Sequence, residues 1–243
     1  MRSQYPDPMT TLPPGQNAIE EFPRFGLQPF ADRFPSVVDK IAIEVSGDVE
    51  HPISANEQFA SLPRVEQVSD LHCVTTWSHL GLRWRGVRFR DFYEKLVVPK
   101  VQPEPNAGLV VFRAQDGYSQ SLLLEDLLAN DVLLAHDLED APLSIAHGAP
   151  LRLIAPAHYG YKNIKHIKAI EFWRDARKYH FPGPKLMDHQ RARVAQEERG
   201  VGLPGWMLRQ LYKLLIPSTE RKFRDALERH SMSAGEAEER GED

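Results

Sequence analysis

The sequence contains a single cysteine, Cys73, among its 243 residues. One cysteine cannot form an internal disulfide, so the fold does not require an oxidising compartment. The sequence also lacks an apolar run near the roughly 20 residues that a membrane span needs. Its N-terminus, MRSQYPDPMTTLPPGQ, has neither the apolar core nor the twin arginine of an export signal. We therefore expect a cytoplasmic protein with no membrane span.

An excess of positive charge is missing as well. The chain has 30 Lys and Arg against 34 Asp and Glu, which gives a formal net charge of −4. Proteins that bind nucleic acid usually present a basic patch or stripe, so we expect no nucleic-acid partner. The 42% of apolar residues and 26% of charged residues are ordinary for a globular protein. The 19 prolines favour many short elements over a helical bundle.

Short apolar segments mixed with short helical ones predict an α+β fold with a mixed sheet. One strand leads from Leu62 to Cys73, which places the cysteine where a strand passes into a loop. Ser54, with Glu57 three residues later, predicts a capping box and a short helix in SANEQFASL. Another helix is expected from about Phe89. Further strands are predicted in KIAIEVSG, LRWRGVRF, GLVVFRAQ, YSQSLL, DVLLAHDL, APLRLIAPA and KAIEFW.

The composition changes after about Pro184. DHQRARVAQEERG, PGWMLRQLYKLL and STERKFRDALERH predict three helices separated by Gly and Pro. The middle helix carries an apolar stripe that we expect to be packed, namely Trp206, Leu208, Leu211, Leu214 and Leu215. The predicted organisation is an extended or disordered arm over residues 1–21, a domain over residues 22–182, and a helical extension over residues 183–243. The acidic end, SAGEAEERGED, is predicted to be disordered.

Cys73 itself has three interpretations. It is a small buried hydrophobic residue, a nucleophile paired with His72 or His147, or a thiolate ligand of a metal. His72 is a poor base for it, because neighbouring side chains of a strand point to opposite faces. A lone thiolate without a CxxC or HxxxH companion does not make a zinc site. If Cys73 binds a metal, most of the other ligands must come from outside the protein.

A second stretch, HGAPLRLIAPAHYGYKNIKHIK over residues 147–168, predicts an anion site. It combines Arg152, Lys162 and Lys165 with turn glycines, so that backbone N–H groups and cations can converge on one group such as a phosphate. A solvated basic surface is the alternative. The aromatic residues beside these charges and the apolar strand that carries Arg152 favour the anion site.

LHCVTTWSHLGLRWRGVRFRDFYE together with HGAPLRLIAPAHYGYKNIKHIKAIEFW resembles the molybdopterin-binding domain of the sulfite oxidase family, over roughly residues 22–173. The resemblance implies a mixed-sheet, sulfite-oxidase-type molybdopterin-binding fold and a molybdenum–molybdopterin (Mo-MPT) cofactor. It implies that the thiolate of Cys73 binds the molybdenum, that His147 contacts the pterin and that Arg152 holds its phosphate. The remaining cofactor-binding residues that it implies are Arg24, Phe25, Lys162, Asn163, Ile164 and Lys165.

The resemblance also implies an oxidoreductase that performs two-electron oxygen-atom transfer on a small substrate, of the S- or N-oxide type or sulfite-like. Sulfite is disfavoured because no arginine stands between Cys73 and Arg83. Near the metal we expect Thr75, Trp77, Ser78 and His79, with Cys73, Thr75 and Trp77 as the catalytic residues. Electrons would be exchanged with a separate partner protein, because no second redox centre is recognisable. A Cys-nucleophile hydrolase and a non-catalytic molybdopterin carrier are the alternatives.

Overall fold

A computed structural model of the chain describes residues 12–241, with side chains described as far as residue 233. The described residues form two sheets joined by short helices and turns. The strands are β1 Asn17–Ala18, β2 Glu44–Gly47, β3 Ile53–Ser54, β4 Arg64–His72, β5 Trp77–Arg88, β6 Leu109–Ala114, β7 Ser119–Leu123, β8 Leu133–Leu138, β9 Ala141–Pro142, β10 Arg152–Ile154 and β11 Ile167–Trp173. The helices are α1 Asn56–Ala60, α2 Phe89–Phe92, α3 Leu124–Leu127, α4 Gly205–Lys213 and α5 Ile216–Gly241, with a π-helix at Tyr93–Val101.

The first sheet has the order β1-β5-β8-β10, with β4 paired to β5 and β9 paired to β8. The second sheet has the order β3-β2-β11-β6-β7. β1 runs parallel to β5 and β2 runs parallel to β11, while the other pairs are antiparallel. Both sheets are therefore connected largely through neighbouring antiparallel strands, and the predicted α+β class with mixed sheets is confirmed.

The main hydrophobic core is shared by the two sheets. Phe112 and Phe172 of the second sheet belong to the same buried cluster as Leu134 and Leu153 of the first, together with Phe89 of α2. All five are fully buried. A second cluster on the first sheet contains Cys73, Trp77 and Trp84. The cysteine is thus attached to a packed layer of aromatic side chains, and it sits where β4 ends, as the sequence predicts.

The predicted capping box at Ser54 is wrong. Helix α1 begins one residue later than predicted, with Ala55 at the N-cap and no side-chain cap. Ser54 lies on the edge strand β3, where its hydroxyl donates to the carboxylate of Glu44. The side chain of Asn56 accepts a hydrogen bond from Ile43 N at 2.9 Å instead of capping the helix. The hydroxyl of Ser54 is bonded to the neighbouring strand β2, so it does not cap the helix.

The helix predicted in DHQRARVAQEERG is also wrong, since residues 188–200 form turns and a bridge. Two long-range bonds explain this: Tyr159 N donates to Ala192 O at 3.0 Å, and Val194 N donates to Ala157 O at 2.9 Å. These bonds hold the segment beside the loop that follows β10. Ala192 and Glu197 adopt positive φ angles of 54° and 53°, which a helix cannot accommodate.

The two later helices are present as α4 and α5, but the apolar stripe of α4 is mostly exposed. Leu208 is fully buried, and Tyr212, one turn later, is its buried companion. Trp206, Leu211, Leu214 and Leu215 remain 44–77% exposed, so the expectation that the whole stripe is packed is wrong. The helix docks through one narrow pair of positions, i and i+4, rather than through the full stripe.

Helix α5 runs through the segment predicted to be disordered as far as Gly241, and the last two residues lie outside the described part. Of the predicted arm over residues 1–21, the first 11 residues lie outside it as well, and Asn17 and Ala18 form β1. The domain boundaries stay a prediction. Among the described residues, no helix is long and apolar enough to cross a membrane.

Candidate cofactor-binding site

Cys73 stands on the tight turn between β4 and β5. Cys73 N donates to Trp77 O at 2.8 Å, and Thr76 N donates to Cys73 O at 3.2 Å, so four residues reverse the chain. Thr76 has a φ angle of 99°, a conformation that residues other than glycine rarely adopt. The turn is therefore held in a conformation that the local sequence does not favour by itself.

A cavity of about 360 Å³ opens beside this turn. Its walls come from the segment 22–30, from the turn after β4, from the loop between β10 and β11, and from the C-terminal extension. Charged side chains at the walls are Arg24, Asp116, Arg152 and Lys165, and the thiol of Cys73 is the sulfhydryl among them. The remaining walls are mostly aromatic or aliphatic, including Phe22, Phe25, Phe30, Trp77, Tyr161, Met187, Leu215 and Phe223. A single thiol and three cations thus share one largely apolar chamber.

The Cys73 thiol is buried, and burial raises its pKa. Opposing this, Thr75 Oγ1 lies 3.1 Å from Sγ, and the charges of Arg199 and Lys165 favour the thiolate. The same groups that moderate the pKa of the thiol would stabilise the thiolate that a metal requires. Thr75 and Trp77 both line the cavity, and their catalytic role stays a prediction.

Arg152 is the most deeply buried of the cations. It begins β10, its side chain is 1% exposed, and burial lowers its pKa to about 9. Nη1 donates to His147 O at 2.7 Å, whereas Nε has no acceptor among the described residues. The guanidinium also lies over the ring of Trp84, with 5.0 Å to the ring centroid. A buried guanidinium with a free donor fits an anionic ligand in the cavity.

Lys165 and Arg24 add two further positive charges. Lys165 Nζ donates to Ala146 O at 3.0 Å and to Phe25 O at 3.3 Å, and burial lowers its pKa to about 7, helped by the charges of Arg152 and Arg24. Arg24 donates to Ala31 O at 2.7 Å. Both side chains donate to carbonyl oxygens and form no ion pair with a carboxylate among the described residues, although the charge of Asp116 offsets part of theirs. Asp116, whose pKa burial raises, is the one carboxylate among the described lining residues.

Lys162, unlike Arg24, Arg152 and Lys165, does not line the cavity. Its side chain is fully buried and points away from the cavity walls, where Nζ donates to Gln120 Oε1 at 3.0 Å and to Ser121 O at 2.9 Å. Burial lowers its pKa to about 7. The short turn Gly160–Lys162 ends before Lys165, so the two lysines do not lie on one helical face. The structure therefore separates Lys162 from the other predicted cofactor-binding cations.

Asn163 and Ile164 line the cavity, but the amide of Asn163 braces the loop. Its Oδ1 accepts from Ala155 N at 2.6 Å, and its Nδ2 donates to the carbonyls of Ala155, His158 and Tyr159. Any contact of Asn163 with a ligand would be made by its backbone. A Cβ at Gly160 would lie 3.8 Å from Cys73 Cα, so this loop packs at ordinary van der Waals distance from the cysteine turn.

His147, Ser78 and His79 are not among the residues that line the cavity. His147 stacks on Phe22, with 4.4 Å between ring centroids, and burial lowers its pKa to about 4. Ser78 Oγ contacts His72 Nδ1 at 2.8 Å and donates to Gln16 Oε1. His79 Nε2 lies 3.0 Å from Glu20 O. Alternation along β5 turns Ser78 away from Trp77, which explains why only Trp77 of this pair reaches the cavity.

Arg199 is the residue that the sequence did not reveal. It is fully buried, and its Nη1 donates to Val74 O at 2.6 Å, directly after the cysteine. The sequence predicts a helix in its segment, and Arg199 lies 125 positions from its partner. Gln16, whose Nε2 donates to Cys73 O at 3.0 Å, was missed for the same reason. A side chain that contacts a distant backbone carbonyl leaves no recognisable pattern in the sequence around it.

The donor set fits Mo-MPT. Among the described residues, no group of three or more His, Cys, Asp or Glu side chains is arranged to hold a metal ion. The thiol of Cys73 can supply one soft ligand to a metal that arrives with its other ligands. The unsatisfied donor of Arg152 and the ammonium group of Lys165 fit the phosphate of such an organic ligand.

Comparisons with known proteins give the family. The sequence profile of the oxidoreductase molybdopterin binding domain matches residues 32–181. YuiH of Bacillus subtilis (strain 168), described as an uncharacterised oxidoreductase, is 34% identical over 177 residues, which cover 72% of this chain and 85% of YuiH. The chain therefore belongs to the oxidoreductase molybdopterin binding domain family, the sulfite oxidase family of enzymes, as the sequence predicted.

More distant relatives have names that state an activity. The protein-methionine-sulfoxide reductase catalytic subunit MsrP of Campylobacter jejuni is 29% identical over 151 residues, which cover 55% of this chain and 49% of MsrP. The chain thus spans about half the length of that relative. Among solved structures, the crystal structure of the sulfane dehydrogenase SoxCD from Paracoccus pantotrophus aligns with 63% of this chain and 43% of its own, at 19% identity and a TM-score of 0.48.

Proposed function

We propose that this protein is a molybdenum–molybdopterin-dependent oxidoreductase that performs two-electron oxygen-atom transfer on a small S- or N-oxide or sulfite-like substrate. The observation that carries the proposal is the shared chamber: one buried thiol, three cations and mostly apolar walls within about 360 Å³. Family membership supports the cofactor, and the name of the relative MsrP supports an oxide as substrate. The predicted cytoplasmic location stays a prediction.

Different residues of the chain would hold different parts of the cofactor. Cys73 would supply a thiolate to the metal, and Arg152 with Lys165 would hold the phosphate through charge-assisted hydrogen bonds. Arg24 adds charge to the same wall, and Phe25 covers it. Ile164 and the backbone of Asn163 would form the floor under the ligand. His147 and Lys162 would act only through the elements that they support, because neither side chain lines the cavity.

When bound, the cofactor supplies a metal that exchanges two electrons and an oxygen atom with the substrate. The chain would position the cofactor, stabilise the thiolate of Cys73 and exclude water from the cavity. Cys73 must lose its proton before it can bind a metal, and the hydroxyl of Thr75, 3.1 Å away, can then donate to the thiolate. Phe22 and Phe25 both pack against Trp77 and would exclude water from that side.

The overall reaction balances with a separate electron carrier. Reduction of an oxide takes up two electrons and two protons and releases the reduced substrate and one water molecule; the oxidative direction is the reverse. Electrons must enter from a partner protein, because the sequence contains no second redox centre that we recognise. Sulfite is disfavoured because Arg152 and Lys165 are assigned to the phosphate and no arginine stands between Cys73 and Arg83.

The hydrolase alternative has little support in the geometry. His72 Nδ1 contacts Ser78, and the ring of His147 stacks on Phe22, so neither histidine is placed as a base for Cys73. The raised pKa of the thiol also opposes a nucleophile at neutral pH.

The test is to purify the chain from cells that make molybdopterin, and to measure molybdenum by elemental analysis and pterin by fluorescence. Turnover is then measured with a reduced dye and a panel of sulfoxides and N-oxides, and with an oxidised dye and sulfite. We expect molybdenum and pterin close to one per chain and turnover that Cys73→Ser abolishes. A protein that binds pterin but whose metal spectrum responds to no oxidant or reductant would be a carrier. A protein with thiol-dependent hydrolysis and no molybdenum would be a hydrolase.

A further inference from the structure

The turn that carries Cys73 is held by residues outside the segment that the family profile matches, 32–181. Two of its carbonyls are bound by the N-terminal arm. Gln16 Nε2 donates to Cys73 O at 3.0 Å, and Asn17 N donates to Thr76 O at 2.8 Å. Without the arm, Cys73 O would keep only the bond from Thr76 N, and Thr76 O would lose the bond from Asn17 N.

A third carbonyl of the turn is bound by the C-terminal extension. Arg199 Nη1 donates to Val74 O at 2.6 Å, and Arg199 Nη2 donates to Pro14 O at 2.9 Å. One guanidinium thus joins the cysteine turn, the N-terminal arm and its own segment. The planar fork of arginine suits this task, because its nitrogens donate in fixed and different directions.

Arg199 is itself fixed on all sides. Its Nε donates to Glu197 Oε1 at 3.2 Å, and the guanidinium lies over the ring of Tyr159, with 5.0 Å to the centroid. Tyr212 of α4 donates to Arg199 O at 3.2 Å. The side chain has no exposed surface. Helix α4 and the loop after β10 therefore hold Arg199 in one position. Arg199 in turn fixes the cysteine turn through its bond to Val74 O.

We propose that Arg199 is a positioning residue that clasps the Cys73 turn between the N-terminal arm and the C-terminal extension, and so presents Sγ to the metal. This inference rests on the proposed role of Cys73 as a metal ligand. The φ angle of 99° at Thr76 explains the need for a clasp, because a turn in a rarely adopted conformation relaxes when its outside partners are removed. The extension then serves the site even though it lies outside the family-matched segment.

The experiment compares the full-length variants Arg199→Met and Arg199→Lys with wild type. Arg193→Met is the matched control, since Arg193 lies in the same extension and pairs with Glu198 at 2.7 Å without touching the cysteine turn. The first readout is the high-pH plateau of the alkylation rate of cofactor-free protein, where the thiol is fully ionised and the loss of the Arg199 charge no longer changes the thiolate fraction. It reports on Cys73 alone because this is the single cysteine. The second is the visible absorption of the loaded, oxidised protein, in the band that Cys73→Ser removes. Pterin content and the thermal midpoint are measured alongside.

We expect Arg199→Met to be alkylated about tenfold faster than wild type, since losing a hydrogen bond from a charged donor shifts a local opening equilibrium by that order. Its thiolate band should weaken while pterin stays bound. Arg199→Lys should fall between the two, because one ammonium group cannot replace both bonds of the fork. Arg193→Met should match wild type in both readouts.

A folded Arg199→Met protein with the alkylation rate and absorption of wild type would overturn the proposal. If that variant does not fold, Arg199→Lys decides, and wild-type behaviour of the lysine variant in both readouts would overturn the proposal equally. If wild type itself takes up neither molybdenum nor pterin, the proposed function fails. The alkylation comparison then still shows whether Arg199 holds the turn.

Discussion

Arg152 donates from Nη1 to the carbonyl oxygen of His147 at 2.7 Å, five residues earlier in the chain. This bond closes the loop HGAPLR on itself and fixes the guanidinium at the cavity wall. Nε keeps a buried N–H without an acceptor among the described residues. Burying a guanidinium without an anion costs stability, and the same burial lowers the pKa of this group to about 9. The cofactor-free chain bears this cost, and an anionic ligand would relieve it.

Arg152→Met should therefore reduce cofactor occupancy without destabilising the cofactor-free protein. The lost charge-assisted bonds correspond to about 1.5–3 kcal/mol, or a weakening of binding of about 10- to 150-fold. Pterin fluorescence per chain measures the first effect and denaturant unfolding the second. Arg85→Met is the control, because Arg85 pairs with Glu66 at 2.9 Å on the surface. Wild-type pterin content in Arg152→Met would refute the phosphate assignment.

The two neighbouring lysines should behave differently. Lys165→Met removes a cation from the cavity wall and should lower pterin occupancy by about tenfold, as expected for one charged contact. Lys162→Met removes a cation that contacts Gln120 and Ser121 instead, and should leave occupancy of the folded protein close to wild type. Pterin content per chain, measured in parallel, checks both. A larger loss in Lys162→Met than in Lys165→Met would show that the cavity has been assigned to the wrong lysine.

Cys73→Ser separates metal ligation from pterin binding. A serine oxygen is a hard ligand, so the metal would lose a soft donor while Arg152 and Lys165 keep holding the phosphate. We expect pterin content near wild type and turnover below detection. Thr75→Val is the companion variant, which removes the hydroxyl 3.1 Å from Sγ and should lower turnover with the metal retained. Full turnover in Cys73→Ser would be incompatible with the thiolate role.

Stability should fall between pH 6.5 and 4 because of two buried histidines. Burial lowers the pKa of His147 and of His166 to about 4, against 6.5 in the unfolded chain. Across that window the unfolded chain binds protons that the folded chain does not, so the free energy of unfolding decreases as the pH falls, and the loss is complete below pH 4. Denaturant unfolding of cofactor-free protein at pH 7, 6 and 5 measures the slope.

His166→Asn should flatten that slope, since asparagine does not titrate and tolerates the φ angle of 55° found there. The exposed His180, changed to Asn, serves as the control and should leave the slope unchanged. An identical slope in wild type and His166→Asn would show that this histidine does not contribute to the pH dependence.

Much of the site could be predicted because its parts have local signals. Cys73 follows a strand, and Arg152 begins another strand after Gly and Pro, so the sequence placed both correctly in the secondary structure. The direction of a side chain after a turn has no such signal. Lys162 and Lys165 look equivalent in the sequence, and only the packing of β7 beside the turn draws Lys162 away.

The C-terminal extension was predicted least well, for a related reason. Residues 188–200 have the composition of a helix, yet bonds to Tyr159 and Ala157 impose turns on them. Trp206 and Leu214 follow a helical stripe, but the surface that meets α4 accepts only Leu208 and Tyr212. Arg199 acts through a backbone carbonyl far away in the chain, and such a contact does not restrict the residue types nearby. Tertiary contacts, rather than local preferences, determine this part of the molecule.

The most direct test of the account is X-ray absorption at the molybdenum edge, on wild type and on Cys73→Ser prepared from the same molybdopterin-competent cells. The account predicts that the metal in wild type has one more sulfur neighbour than the metal in the serine variant, with equal pterin in both samples. Equal sulfur counts in the two proteins would contradict it.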